Sequence, residues 1–273
     1  QGLNVGRRGG GGNDYSGGRP SEQSLHRVIS IHEETVVSIS GFTVRYGSVT
    51  SKELCMIPFH SKAIGLTESG IEAIGAEFGG GIDNQGTLTL RDSIITENYD
   101  GGGAGLFNGA KVTIENSTIS GNRANYPAGI ESHGVLTMTN STVSDNTARG
   151  GVVKLLVQNN GVSISNTILA GSAAAEEGPD CLGVVASLGH NLVGIDSGCD
   201  FKPGEGDSMG TKSQPVDPKL GSLGQNGGLT ATMVLLPDSP AIDASGDGSY
   251  RPLDQRGVSR PRGASCDIAS YER

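Results

Sequence analysis

The 273-residue chain has no tryptophan, and only 4% of it is aromatic. Clefts that grip sugars on stacked rings, and platforms for single-stranded nucleic acid, therefore lack their usual material. No apolar run approaches ~18 residues, which excludes a membrane-spanning helix. Basic residues are the minority: 20 Lys and Arg stand against 29 Asp and Glu, a net charge of −9 that argues against a phosphate-backbone partner. Glycine is the surplus, with 45 residues, more than twice ordinary usage. It follows no strict three-residue period, so a collagen helix is out. With so few large side chains, a thick globular core is hard to build. The interior must come from many small, repeated contributions.

The repeat is explicit. Residues 87–98 read TLTLRDSIITEN, 111–122 KVTIENSTISGN, 135–146 VLTMTNSTVSDN and 162–172 VSISNTILAGS, with a partial copy, VSISGFTVRYG, at 37–47. The intervening segments also align: GGGIDNQG at 79–86, AGLFNGA at 104–110, AGIESHG at 128–134 and LLVQNNG at 155–161. Leu88/Leu90, Val112/Ile114, Leu136/Met138 and Val162/Ile164 alternate with polar residues, the period of a strand. A second piece carries Ile95, Ile119, Val143 and Leu169; a third carries Ile82, Leu106, Ile130 and Val157. Asn, Asp and Gly separate them. A unit of about 24 residues with three strands and three turns is one coil of an all-β parallel β-helix, whose apolar faces are buried by stacking at ~4.8 Å. Stacking predicts ladders: Asp92, Asn116, Asn140 and Asn166 at one position, Asn98, Asn122 and Asn146 at another. Asn tolerates left-handed turns and can bond its counterpart one coil away. Asn116-Ser117-Thr118 and Asn140-Ser141-Thr142 match the glycosylation pattern, but both asparagines read as buried ladder members.

Residues 1–26 form a Gly-rich N-terminal segment. No charged-then-apolar leader precedes it, the pattern of a processed or truncated chain. Residues 27–175 are coils, with an insertion at 48–78, part of which reads as a short helix. Residues 176–273 read as irregular, loop-rich last coils and a C-terminal cap of the same domain, the terminal cover a solenoid needs. Cys181 and Cys199 share one loop-rich segment and are expected to form a disulfide, worth ~3 kcal/mol in an oxidising compartment. Cys55 and Cys266 pair only if the insertion folds toward the C-terminal end. No C-x-x-C spacing supports zinc.

The tail carries an ordered series: NTILAGS from 166, PDCLG, SLGHNLVG, DPKLGSLGQNGG, SPAIDASG, LDQRGVSRPRG and a final CDIASYE. With the GGGI…GTLTL coils, it resembles the bacterial secreted choice-of-anchor Q domain proteins and, more loosely, polymorphic outer-membrane protein repeats, over roughly 27–273. The resemblance implies a right-handed parallel β-helix of pectate-lyase-like architecture and export to the cell surface or medium. It implies no defined activity. The chain departs from the group in its 48–78 insertion, in CDIASYE, and in having no C-terminal apolar anchor.

Chemistry must be sought separately from fold. Glycosidases need two carboxylates across the scissile bond; lyases need a base and a cation. Asp83, Phe107, Glu131 and Gln158 fall in one column of the aligned coils, placing Asp83 and Glu131 about 10 Å apart. His133 follows two residues on, so Asp83, Glu131 and His133 form the candidate catalytic site, against the plainer alternative of a solvated polar face. Arg91 above Glu115 reads as a surface ion pair of little value, and Glu97 lies near Asp145 two coils away. His190, in SLGHNL, reads as structural. No G-x-S-x-G, Walker or H-E-x-x-H pattern occurs. Residues 243–254, DASGDGSYRPLD, place Asp243, Ser245, Asp247, Gly248 and Asp254 at positions 1, 3, 5, 6 and 12 of a calcium loop, although Asp replaces Glu at the last and no helices flank it. Calcium is thus the one cofactor the sequence suggests.

The leading expectation is a secreted or cell-surface β-helix with a structural or adhesive role, able to extend end to end into fibres. Its partners would be further copies or a polysaccharide or cell-surface glycan, with no nucleic acid and no membrane span. The alternative is a polysaccharide lyase or glycoside hydrolase, or a carbohydrate-binding β-helix without turnover.

Overall fold

The computed structural model describes residues 27–49, 79–100, 103–125, 127–148, 153–155, 161–174, 178–246 and 250–273. Each regular coil carries four strands. The first is Ile29–Ile31, Ile82–Asn84, Leu106–Asn108, Ile130–Ser132 or Val153–Leu155; the second Val36–Ser40, Thr87–Arg91, Lys111–Glu115, Val135–Thr139 or Val162–Ser165. The third is Thr43–Arg45, Ile94–Thr96, Thr118–Ser120, Thr142–Ser144 or Ile168–Leu169. Successive copies pair in parallel and in register: Ile82 opposes Leu106, Thr87 opposes Lys111, and Ile94 opposes Thr118. The fourth strand, such as Tyr99–Asp100 or Arg123–Ala124, holds two residues. That is too short to show a period, which is why the repeat displays three strands and the fold has four.

Two expectations about register are corrected. The coil at 27–49 stacks directly on the coil at 79–100, with Ile29 opposite Ile82 and Val36 opposite Thr87. Ser48–Val49 is its fourth strand, paired with Tyr99–Asp100. The extra residues therefore begin after Val49 and leave the pitch untouched; the expected short helix lies outside the described residues. The column assigned to Val157 and Gln158 continues instead through Val153 and Lys154, opposite Ile130 and Glu131. The connection His133-Gly134 has two residues, whereas its counterpart between Leu155 and Val162 has six, 156–161, of which 156–160 lie outside the described residues.

Inward residues of the first three strands, from Val37 and Ile39 to Val162 and Ile164, form one continuous core. Each fully buried aliphatic contributes roughly 1.5–3 kcal/mol. The corners explain the Asn pattern. Asp92, Asn116, Asn140 and Asn166 all adopt left-handed φ values between 45° and 49°, where short polar side chains are tolerated. Within the coils, Asn98 Nδ2 donates to Asn122 Oδ1 at 2.9 Å, and Asn122 Nδ2 to Asn146 Oδ1 at 2.9 Å. A second inner ladder, Asn84 to Asn108 to Ser132, runs at 2.8 and 2.9 Å. Asn116 and Asn140 are buried, as their ladder assignment requires.

The C-terminal region differs most from expectation. Leu182–Ser187 spans the first and second strand positions, and Leu192–Val193 and Ser208–Met209 prolong the third-strand sheet. The chain then turns back along the side of the solenoid instead of capping its end. Leu235, Ala241, Ile268 and Ala269 pack on Ile168, Ala170 and Leu192 in a second core. Ser270 Oγ lies 2.9 Å from Thr118 Oγ1 and 3.2 Å from Thr142 Oγ1. The cause is visible in the third strands: adjacent apolar residues, Ile94-Ile95 and Ile168-Leu169, make them apolar on both faces, and the outer face needs a cover.

The Cys181–Cys199 disulfide is present. Cys266 is buried and joins no disulfide among the described residues; Cys55 lies outside them. Beside the disulfide, Asp180 accepts the amides of Ser172 at 3.1 Å and Ile195 at 2.9 Å, linking neighbouring coils. Burial pushes its carboxyl up to about 6 despite those two bonds. The folded state therefore holds a proton that the unfolded chain has already released. This stabilisation is full below pH ~4 and is lost as pH rises through 6, a difference of roughly 3 kcal/mol. Burial raises Asp267 and Glu272 in the same sense. The thermal midpoint is thus expected to rise from pH 7 to pH 5, with a shallower rise in Asp180→Asn. Equal slopes in both proteins would show that Asp180 does not carry the effect.

Candidate functional site

The expected catalytic residues lie on the outer side of the first strands. Asp83, Phe107 and Glu131 share one register column. Gly79 and Gly103 lie against that column. Gly103, at φ 63°, lies so close that a Cβ there would sit 3.2 Å from Phe107 Cβ and 3.4 Å from Glu131 Cβ. Glu131 is consequently only 4% exposed. Its Oε1 is 3.0 Å from His133 Nε2, and its Oε2 is buried without a hydrogen-bond partner. The half-exposed His133 ring rests against Phe107 at a centroid distance of 5.2 Å. Asp83 is held elsewhere: Arg27 Nη1 is 3.1 Å from its Oδ2, and Gln85 Nε2 donates to its Oδ1 at 2.8 Å. The fold brings Glu131 and His133 together, while Phe107 separates them from Asp83. Arg27, remote in sequence, carried no signal of its role.

The calcium-loop residues meet a different arrangement. Asp254 Oδ1 accepts the amides of Arg256 and Val258 at 2.8 and 2.9 Å; its Oδ2 accepts Arg256 Nε and Nη2 and the Glu272 amide at 2.9, 2.7 and 3.0 Å. Both oxygens are committed to donors, the opposite of what a cation needs. Asp243 Oδ1 accepts the Ser265 amide at 2.9 Å, and the Ser245 amide donates to the Cys266 carbonyl. Asp247 and Gly248 lie outside the described residues. No group of three or more His, Cys, Asp or Glu with metal-holding geometry occurs among the described residues.

The charged residues of the tail are mostly internal fasteners. Glu272 accepts the amides of Arg262 and Asp267, and Arg260 donates to the carbonyls of Asp267 and Ala269. His190 Nδ1 lies 3.0 Å from the Ala244 carbonyl, consistent with a structural role. Arg91 Nε donates to Glu115 Oε2 at 2.7 Å, as the ladder suggested, and Arg251 from the returning segment joins the same carboxylate. Burial alone would raise Glu115, but the two guanidiniums outweigh it and hold the carboxyl below its usual value.

The returning segment meets the second-strand sheet at its Glu115 edge, through Arg251, and the outward residues in the middle of the sheet are half-buried to exposed. Its outward middle column reads Ser38, Thr89, Thr113, Thr137 and Ser163, one hydroxyl per coil in register. Val36 and Val135 flank it, exposed.

In-register parallel strands, turning around a single aliphatic core, define a parallel β-helix solenoid. The right-handed β-helix region family model matches residues 29–184, more than half of the chain. The protein belongs to this family. No curated protein and no solved structure matches the chain. Among the described residues, no helix is long and apolar enough to cross a membrane.

Proposed function

We propose that the protein is an extracellular or cell-surface β-helix with a structural or adhesive role, its contact face being the hydroxyl column Ser38–Thr89–Thr113–Thr137–Ser163. That column carries the reading. A flat, repeating array of donor–acceptor groups on a rigid sheet suits an extended polymer, a glycan chain or a second solenoid, better than a compact substrate. The disulfide supports an oxidising compartment, and the resemblance of the tail to choice-of-anchor Q proteins supports export. Replacing Thr113 and Thr137 together with Lys is expected to cut adsorption to insoluble polysaccharides, or self-association seen by light scattering, at least tenfold. Stability should change by no more than about 0.5 kcal/mol per site. Undiminished adsorption and assembly would remove the face from consideration.

A second reading, glycan hydrolysis or elimination, is favoured by the unpartnered Oε2 of Glu131 beside His133. A buried carboxylate oriented by imidazole is the kind of group that serves as acid or base. Screening neutral and uronate-containing glycans tests it. Any turnover found should fall by 10²-fold or more in Glu131→Gln, and turnover that persists would place the chemistry elsewhere.

A further inference from the structure

Asn-Gly occurs at 108–109, 160–161 and 226–227. The pair is chemically labile because glycine, with no Cβ, lets its backbone nitrogen reach the carbonyl carbon of the asparagine side chain. The fold treats the two described pairs differently. Asn108 is fully buried, the Gly109 amide donates to the Asn84 carbonyl at 2.8 Å, and a Cβ on Gly109 would collide with Gln85 Oε1. That pair is locked. Asn226-Gly227 lies in the part of the returning segment that touches the first two coils. There Thr230 Oγ1 donates to the Asp92 carbonyl at 3.0 Å, and Leu229 lies over Gly41. Gly227 is exposed, adopts φ 101°, and a Cβ there would meet nothing within 4 Å. Its amide donates to no acceptor among the described residues.

We propose that Asn226 is a site of spontaneous, irreversible deamidation that marks the age of the chain and loosens the cover over the first coils. Gly227 N attacks Asn226 Cγ. The new N–Cγ bond forms as the Cγ–Nδ2 bond breaks, and the Gly227 amide proton leaves with Nδ2 as ammonia. Water then opens the cyclic imide at either carbonyl, giving isoaspartate or aspartate. Both are carboxylates at neutral pH, so the net charge moves from −9 to −10.

The surrounding bonds set both the pace and the consequence. Asn226 Nδ2 donates to the Gly224 carbonyl at 3.2 Å, the Thr232 carbonyl at 2.8 Å and Thr232 Oγ1 at 3.1 Å. These bonds brace the bridge in which Gly224 and Thr232 exchange amide bonds at 3.0 Å each. Ammonia leaves only as they break, so local opening of the bridge paces the reaction. An ionised carboxylate cannot donate, so the product faces two carbonyl oxygens as an acceptor and does not remake the brace. In isoaspartate the chain also runs through the former side-chain carbon, which displaces the Asn226 carbonyl that Arg256 Nη1 meets at 3.2 Å. The nearby hold through Thr230 weakens with it.

Incubating the full chain at mildly alkaline pH, with peptide mapping and enzymatic methylation of isoaspartate, tests the proposal. Asn226 should convert roughly tenfold or more faster than Asn108. Thr232→Val keeps the bulk but removes one acceptor, and should speed conversion of Asn226 several-fold while leaving Asn108 unchanged. Asn226→Gln, whose ring closure needs a larger ring, should leave that peptide unconverted. A broad-specificity protease should cut within 223–231 several-fold faster in converted protein and in Asn226→Asp than in fresh parent. Protein carrying Thr113→Lys and Thr137→Lys should convert as the parent does, so that failure of the hydroxyl face and failure of this site read out separately. Equal rates at Asn226 and Asn108 would overturn the site. An unchanged rate in Thr232→Val would overturn the pacing by the bridge, and unchanged proteolysis after conversion would overturn the loosening.

Discussion

Asp254→Ala is expected to detach the returning C-terminal segment from the solenoid and cost about 3–5 kcal/mol. One buried carboxylate there gathers three backbone amides and the Arg256 guanidinium. Arg256 in turn donates to the Glu272 carbonyl and stacks on the Tyr271 ring at 3.6 Å. Removing the acid leaves a buried cation and orphaned amides, the situation in which breaking an ion pair is most damaging. Limited proteolysis should then cleave within 211–273 while the coils keep their β signature in circular dichroism. Asp254→Asn keeps the shape and an acceptor, and should lose less. A midpoint in Asp254→Ala within 1 kcal/mol of the parent would mean the segment is held by its apolar contacts alone.

Asn122→Leu is expected to be nearly as costly, about 3 kcal/mol or more. Asn122 Oδ1 accepts both the amide and the side-chain nitrogen of Asn98, at 3.1 and 2.9 Å. Its Nδ2 serves Asn146 Oδ1 and the Ile95 carbonyl, at 2.9 and 3.0 Å. Leucine has similar bulk but strands partners on both neighbouring coils, each worth roughly 1–3 kcal/mol when buried unsatisfied. Because solenoid stability is summed over neighbours, the damage should uncouple the coils on either side. Chemical denaturation would then broaden or divide into two transitions. A single sharp transition with less than 1 kcal/mol lost would show that water or a shifted neighbour satisfies the ladder.

How much of this was legible in the sequence depended on period. The second strands, where Leu88/Leu90 and Val112/Ile114 alternate with polar residues, declared both strand and register. The Asn corners declared the coil length because a left-handed turn restricts residue choice. Alignment failed where length was not conserved between coils, as at 153–161, since a gap in a loop shifts letters without shifting strands. The returning segment reads as a cap because its strand-poor sequence has no period, and its hydrogen-bond partners on the early coils lie more than a hundred residues away, as Thr118 does from Gln255. The adjacent apolar pairs Ile94-Ile95 and Ile168-Leu169 were the available sign that a second face needed covering. Of the candidate site, the column joining Asp83 to Glu131 and the His133 neighbour were readable from spacing. The Arg27 contact that binds Asp83 was not, because it is made across the insertion.

The direct stacking of the coil at 27–49 on the coil at 79–100 has a consequence for how such a chain can change. Val49 and Gly79, which flank residues 50–78, belong to adjacent rungs, and the strands on either side pair in register. Closing a longer loop between fixed ends costs only about 0.6 kcal/mol per doubling of its length. This edge of the solenoid is therefore a place where sequence can be gained or lost without renegotiating the rest of the fold. The second strands on either side keep their register, so the hydroxyl face runs from Ser38 to Thr89 as regularly as between coils joined by a short corner.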